Sequence, residues 1–406
     1  MMGPIISFNK LALASGLFII ICLLILSSSA GLHTGGSRVL VNIKESAKDT
    51  KNQLCNDDKL DSGGSVSSAF YKLFEQIRHP IGKSTYTDQA GRIHGVNEDG
   101  PWWTEPLKDQ VLIVGIDTRL PNQKGALWNE GRMNWDTLSA TEYSSTSFMN
   151  HFYYAKIHGY DYKFINANEM GEGIYNTWVK PHILYALLKS YKFVVFIDAD
   201  ATIQHLEVPI EWLFNRWGIL PETSIAMPID TKENLGGNIH VSKDSHGRTV
   251  LNSGFIVAQA LPHTFEMFEA WKECRTGIRY PHCNEWANTW SHEQRAFSDY
   301  IRNDFNPNGT NIIEIPCDDA MGYPGLFDGE RIISNCTGQF IRHHTVDKSI
   351  TKKSSETAMM QSLTDLLHKE LHDGKSTYFV KEKENGNLVA NHKTSAVNDL
   401  GKKGIQ

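Results

Sequence analysis

The chain is 406 residues long, 40% of them hydrophobic and 21% charged, enough to bury one large α/β domain or two small ones with length left for tails. A formal net charge of -6 and a pI near 6.3 leave no basic footprint, which argues against a nucleic-acid partner. From Leu11 to Leu32 no residue is charged, and this run of about 20 apolar or small residues is long enough to cross a bilayer as a helix. Residues 1–32 are therefore read as a short cytoplasmic tail and a transmembrane signal anchor. A cleaved signal peptide is the alternative, because Ser28 and Ala30 are small residues before a cut site. Only Lys10 precedes the segment while Arg38 and Lys44 follow it, so flanking charge does not set its orientation.

Residues 33–105 are rich in Ser, Gly, Lys and Asp and read as a stem, broken by one short helix around SSAFYKLFEQI. The domain proper is expected over 106–347. Val111–Asp117 (VLIVGID) is an apolar run closed by a turn, as a buried strand is. TSFMNHFYYAKIHGY then sets Phe148, Phe152, Ala155 and Ile157 near helical spacing and stops at Gly159. DYKFINA resumes as strand, VKPHILYALLKSY as helix and KFVVFID as strand. This alternation predicts βαβ units and a mostly parallel sheet.

The last of these strands ends in Asp198-Ala199-Asp200. Ligands of open α/β sheets bind beyond the carboxyl ends of the strands, and residues i and i+2 of an extended segment point the same way. Two carboxylates so placed repel unless a cation or hydrogen bonds offset them, and hard oxygen ligands suit Mg²⁺ or Mn²⁺. The plainer reading has one aspartate capping the next segment and the other facing water. Cys274/Cys283 and Cys317/Cys336 are spaced as two local disulfides, with ordinary buried thiols as the alternative. Sequons at Asn308-Gly309-Thr310 and Asn335-Cys336-Thr337, with the anchor and the cysteines, favour a body in the secretory lumen.

Five stretches, in order, carry a resemblance. NHFYYAKIHGYDYKF, WVKPHILYALLKSYKFVVFIDADATI, LNSGFIVAQ, SHEQRAFSDYI and GQFIRHH resemble motifs of glycosyltransferase family 34, the fungal galactosyl- and mannosyltransferases and plant xyloglucan xylosyltransferases. The resemblance spans about Val111 to Asp347. It implies the GT-A fold, a Rossmann-like mixed sheet flanked by helices, and a metal-dependent retaining transfer of a hexose or pentose from a nucleotide-diphosphate sugar to a glycan. UDP-galactose, UDP-xylose and GDP-mannose are the donor types, and an oligosaccharide or glycoprotein is the acceptor. Asp198, Asp200 and His343 are the implied ligands of Mn²⁺ or Mg²⁺, with His344 as the alternative to His343. Lys180, Asp198, Asn252, Ser253 and Gly254 are implied to contact the donor. Gln294 is implied to lie beneath the anomeric carbon, with Glu293 beside it. The departures are a VGID strand ending, Glu293-Gln294 where the family has an Asp-Gln pair, and two histidines where it has one.

Two rivals remain. VVFIDADAT also fits the haloacid-dehalogenase phosphatase pattern, with Asp198 as nucleophile, Asp200 as acid/base and Asp318-Asp319 near Mg²⁺. A non-catalytic lectin-like domain would keep the aromatics without a complete metal set. Trp102, Trp103, Trp128, Trp135, Trp286 and Trp290 offer stacking faces for acceptor sugars, although most large aromatics fill cores. Beyond residue 347, SETAMMQSLTDLLHKEL has helical spacing and 348–406 otherwise reads as a polar tail. The expected protein is a single-pass type II Golgi or ER membrane enzyme with its catalytic domain luminal, able to form homo- or hetero-oligomers in the Golgi.

Overall fold

Segments with β-branched and apolar runs become strands, and those with a four-residue repeat become helices, in the alternation the sequence predicts. The computed structural model describes residues 66–136, 143–235, 238–241, 243–322, 336–345 and 347–382. The expected anchor, Cys55, which the two expected pairings leave unpaired in the linker, and Asn335 of the second sequon lie outside the described residues. Among the described residues, no helix is long and apolar enough to cross a membrane.

Helix α1 (Val66–Leu73) precedes a hairpin of β1 (Thr85–Thr87) and β2 (Ile93–Gly95), whose alternating pattern turns Tyr86 and His94 inward. These elements fall within the stretch read as stem, and they bond to the body: Arg78 donates to the carbonyl of Ile157, and Lys83 accepts from the Trp212 indole. The predicted alternation follows as β3 (Val111–Asp117), α2 (Tyr143–His158), β4 (Asp161–Asn166), α3 (Val179–Leu187) and β5 (Phe193–Ile197). Next come β6 (Ala201–Ile203), α4 (Ile210–Trp217), β7 (Ile225–Pro228), a hairpin of β8 (Lys232–Leu235) and β9 (Asn238–Val241), and β10 (Phe255–Gln259). The chain continues through α5 (Pro262–Glu273), α6 (His292–Ala296), β11 (Ile312–Ile315), β12 (Ile341–His343) and α7 (Thr351–Asp373). Both expected disulfides, Cys274–Cys283 and Cys317–Cys336, are formed.

The main sheet runs in the order β11-β7-β10-β5-β3-β4. Strands β4, β3 and β5 are parallel, β10 lies antiparallel between β5 and β7, and β11 is parallel to β7. The sheet is therefore mixed. Strands β3, β5 and β10 are buried at every residue, which explains their unbroken apolar runs. One core cluster joins Leu112, Val114, Phe196 and Ile256 to Trp178 and Trp271.

On the other side, α2 packs so close that a Cβ at Gly115 would stand 2.6 Å from Cε1 of Phe148. Of the helix residues expected inward, Phe148, Ala155 and Ile157 are buried whereas Phe152 is 42% exposed. Its polar residues take the remaining inward face. Ser147 donates to the carbonyl of Ala199, Asn150 bonds both backbone groups of Ile203, His151 meets the carbonyl of Ala201, and Tyr154 donates to that of Val208. Side chains of this one helix thus bond the carbonyls of Ala199, Ala201, Ile203 and Val208, adding to the pairing of β6 with β12. The two aspartates flank Ala199.

Candidate active site

Strand β5 delivers Asp198 to the carboxyl edge of the sheet, and a turn closed by Ala201 N–H to the Asp198 carbonyl (3.0 Å) reverses the chain into β6. Two pairings then bring distant sequence to this turn. Phe255 pairs with Ile197, so Gly254 lies opposite Asp198, whose N–H donates to the Gly254 carbonyl at 2.8 Å. His343 pairs with Ala201, so its imidazole is set beside Asp200. Strand alternation sends the next residue the other way: His344 Nε2 lies 3.3 Å from Thr202 Oγ1. Burial, then Arg342 and His343, holds the His344 pKa down to about 3, so this ring is neutral.

Nε2 of His343 is 3.2 Å from Asp200 Oδ1 and 3.8 Å from Asp198 Oδ2. One ligand atom from each of Asp198, Asp200 and His343 lies within 4.8 Å of the others. A Cβ at Gly254 would sit 2.0 Å from Cε1 and 2.5 Å from Nδ1 of His343, so only glycine admits the ring here. Two carboxylates and one imidazole suit a hard or borderline divalent ion such as Mn²⁺ or Mg²⁺, and these residues fit one.

Around this trio is a second ring of charge. Lys180, in the first turn of α3, is buried, with Nζ 3.2 Å from Asp198 Oδ2, 3.3 Å from Glu293 Oε1 and 3.2 Å from the Ser253 carbonyl. Burial alone would lower the Lys180 pKa, but Asp198 and Glu293 outweigh it and keep the ammonium charged. Burial would raise the Glu293 carboxyl, yet Lys180, with hydrogen bonds including that from Ser253, holds it below the usual range. For Asp200, burial is likewise overcome by His343 and Lys348, and its carboxyl lies well below the ordinary value. Asp198 is the exception: burial prevails and its pKa is raised despite Lys180.

The polar residues of the expected donor site converge on the same edge. Ser253 Oγ donates to Glu293 at 2.7 Å, Ser253 N–H to Gln294 Oε1 at 3.3 Å, and Gly254 N–H to Asn252 Oδ1 at 2.8 Å. Residues 129–304 match the family model of the galactosyl transferase GMA12/MNN10 family, glycosyltransferase family 34. The chain is a glycosyltransferase, and over these residues it resembles this family.

Among solved structures, a glycosyltransferase involved in the glycosylation of the major capsid of PBCV-1 aligns with a TM-score of 0.40 at 13% identity, over 61% of this chain and 98% of that one. Mouse xyloside xylosyltransferase 1 in its apo form aligns at 0.32 and 10% identity, over 58% and 98%. GlyE of Streptococcus pneumoniae TIGR4 aligns at 0.32 and 12%, over 64% of each chain. No curated protein sequence matches.

Two residues of the glycosyltransferase site escape sequence reasoning. Asp230 lies just past β7 and its carboxylate is 3.3 Å from Asn252 Nδ2 and 3.5 Å from Gln294 Nε2. Ile229-Asp230 just past β7 repeats the Ile197-Asp198 step at the end of β5, and that echo was the available signal. Lys348 Nζ is 2.7 Å from Asp200 Oδ2 with its side chain 47% exposed, and no spacing rule points to it. The aspartates that a phosphatase would need lie elsewhere: Asp319 is held by Arg216 and Trp217, and Asp318 by Thr337 and Gln339. Of the tryptophans, Trp103 is buried, Trp286 packs partly against the core, and Trp290 is exposed.

Proposed function

We propose that this domain is a GT-A-type, metal-dependent retaining glycosyltransferase that moves a hexose or pentose from a nucleotide-diphosphate sugar to a glycan. The observation that carries the reading is the convergence of Asp198, Asp200 and His343 around a glycine that alone leaves room for the imidazole. A divalent ion held there would supply Lewis-acid stabilisation of the charge developing on the leaving diphosphate. The carboxylates of Asp198, Asp200 and Glu293 are grouped at this edge with the ammonium groups of Lys180 and Lys348, a charged setting in which a divalent cation would be held.

In the transfer, the acceptor oxygen bonds to the anomeric carbon as the bond from that carbon to the diphosphate breaks. The bonding pair goes to the phosphate oxygen, which also takes the acceptor's proton. Lys180 fixes Asp198 and Glu293 in place. Gln294, whose carbonyl already accepts from Ser253, offers a neutral dipole to the positive charge developing on the sugar. Lys348, half exposed beside Asp200, would be free to turn toward the diphosphate if that carboxylate held a cation. The apolar run at 11–32 and the exposed Asn308 sequon support a type II membrane protein of the Golgi or ER with this domain in the lumen.

The test is a donor-hydrolysis and transfer screen of the full chain with UDP-galactose, UDP-xylose, UDP-glucose and GDP-mannose, with and without Mn²⁺. Mn²⁺-dependent release of the nucleoside diphosphate and a product of unchanged anomeric configuration are expected. Release of inorganic phosphate from phosphomonoesters, or an inverted product, would overturn the reading.

A further inference from the structure

Beside the donor site stands a cluster that the chemistry above does not use. His292 opens α6 with φ 56°, a left-handed conformation uncommon outside glycine but one that histidine adopts more readily than most residues. It is 8% exposed, and its Nε2 is buried without a hydrogen-bond partner. The hydroxyl of Ser291, 5% exposed, is likewise unpaired. Leaving two such groups unsatisfied is costly, and each asks for a ligand.

Two aromatic rings flank the imidazole. The Tyr175 ring centroid is 3.8 Å away and that of Trp290 is 4.6 Å away, edge-on at 82°. Both rings are open to solvent, Tyr175 at 40% and Trp290 at 75%, although their size would normally draw them into a core. The loops that carry them are fixed to each other. Tyr175 N–H donates to the Ala287 carbonyl at 3.1 Å, the Trp178 indole donates to that of Trp286 at 3.0 Å, and the Cys274–Cys283 disulfide ties the second loop to the end of α5. A rigid aromatic step is the result.

The step is continuous with the donor site. Nδ1 of His292 lies 3.8 Å from Glu293 Oε2, Glu293 Oε1 lies 3.3 Å from Lys180, and Lys180 lies 3.2 Å from Asp198. With its Nδ1 proton toward Glu293, the neutral imidazole presents Nε2 as an acceptor; burial, which lowers its pKa, favours that form. We propose that Tyr175, Trp290 and His292 form the acceptor subsite: a pyranose of the acceptor glycan stacks on the exposed rings, and one of its hydroxyls donates to Nε2 of His292. For a hydroxyl to reach that buried nitrogen, the exposed Trp290 side chain, edge-on to the imidazole, would have to turn aside. The aromatic faces cover the apolar face of the sugar, and the two orphaned polar groups receive its hydroxyls. This assignment rests on the glycosyltransfer reading above and names the substrate class on its acceptor side.

The test uses the full-length chain with cellohexaose, mannohexaose and maltohexaose as probes, followed by tryptophan fluorescence and saturation-transfer NMR, alongside Mn²⁺-dependent binding of UDP and GDP. Trp290→Ala, Tyr175→Ala and His292→Asn are compared, asparagine being chosen because it tolerates a left-handed backbone. The wild-type chain is expected to bind at least one hexaose, each variant to bind it about tenfold more weakly, and nucleotide affinity to stay within about twofold. Three results overturn the assignment: unchanged hexaose binding in all variants, no binding of any hexaose by the wild type, or parallel loss of hexaose and nucleotide binding, which marks the cluster as structural. Hexaose binding without any Mn²⁺-dependent nucleotide binding in the wild type would instead sink the glycosyltransfer reading and leave a saccharide surface standing.

Discussion

Gly254→Ala tests the metal site through one methyl group. The φ of Gly254 is outside the left-handed region, so alanine meets no backbone penalty and the cost is steric. The new Cβ would lie 2.0 Å from Cε1 and 2.8 Å from Nε2 of His343. Non-bonded carbons rest about 3.5 Å apart, so the ring must retreat by roughly 1.5 Å, whereas metal–ligand distances tolerate about 0.2 Å. The imidazole therefore leaves the coordination set. Mn²⁺ affinity, measured by calorimetry near neutral pH, is expected to fall on the order of 100-fold. Stability should drop by about 1–3 kcal/mol from overpacking, and in the Gly254→Ala/His343→Ala double variant the clash vanishes and that loss is recovered without any return of Mn²⁺ binding. Wild-type Mn²⁺ affinity in Gly254→Ala would refute the reasoning, because the ring could not then be a ligand where it stands.

Titrated with Mn²⁺, His343→Ala is expected to lose far more affinity than His344→Ala, since His344 faces Thr202; equal losses would remove the distinction. Lys348→Gln should raise Mn²⁺ affinity a few-fold in the absence of nucleotide by freeing Asp200 Oδ2, and should slow donor turnover; weaker Mn²⁺ binding would contradict the competition. Gly115→Ala drives a methyl to 2.6 Å from the Phe148 ring and is expected to cost about 1–3 kcal/mol in urea unfolding, with an unchanged midpoint counting against the close packing of α2 on β3. Burial holds His151 down to about 4 and His158 to about 3, while the unfolded chain takes up these protons near 6.5, so stability is full above that pH and falls as pH drops through the window. By pH 5 each histidine should cost about 2 kcal/mol, and a flat stability profile from pH 7 to 5 would exclude the effect.

The strands were legible where burial on both faces made them uniformly apolar: β3 and β5 read directly as VLIVGID and FVVFI. The antiparallel insertion of β10 was not, because an apolar run carries no record of strand direction. Asp198 and Asp200 stood out as charge at the end of such a run. His343 became readable only through resemblance, since its place beside Asp200 depends on a β12–β6 pairing across 140 residues of sequence. Lys348 and Asp230 reach the site through loops, where no periodicity constrains them. The helix α2 misled in one respect: its hydrogen-bonding residues occupy inward positions, so apolar periodicity alone assigned Phe152 to the interior and overlooked Asn150 and His151.

That helix also explains how so acidic a site is held in a folded chain. Asp198 and Asp200 bond Gly254, Ala201 and His344 through their backbones, and α2 bonds their neighbours Ala199, Ala201 and Ile203 from Ser147, His151 and Asn150. The backbone is thereby fixed before any cation arrives, which lowers the ordering cost of binding one. Lys180 does the same for charge. A buried ammonium needs compensation, and Asp198 and Glu293 each provide it, while the lysine in turn holds the Glu293 carboxyl below its usual range. Because Lys180 neutralises roughly one charge of that pair, the residual negative charge is concentrated at the open edge formed by Asp198 and Asp200. On the function proposed above, a divalent cation held at that edge would offset this charge.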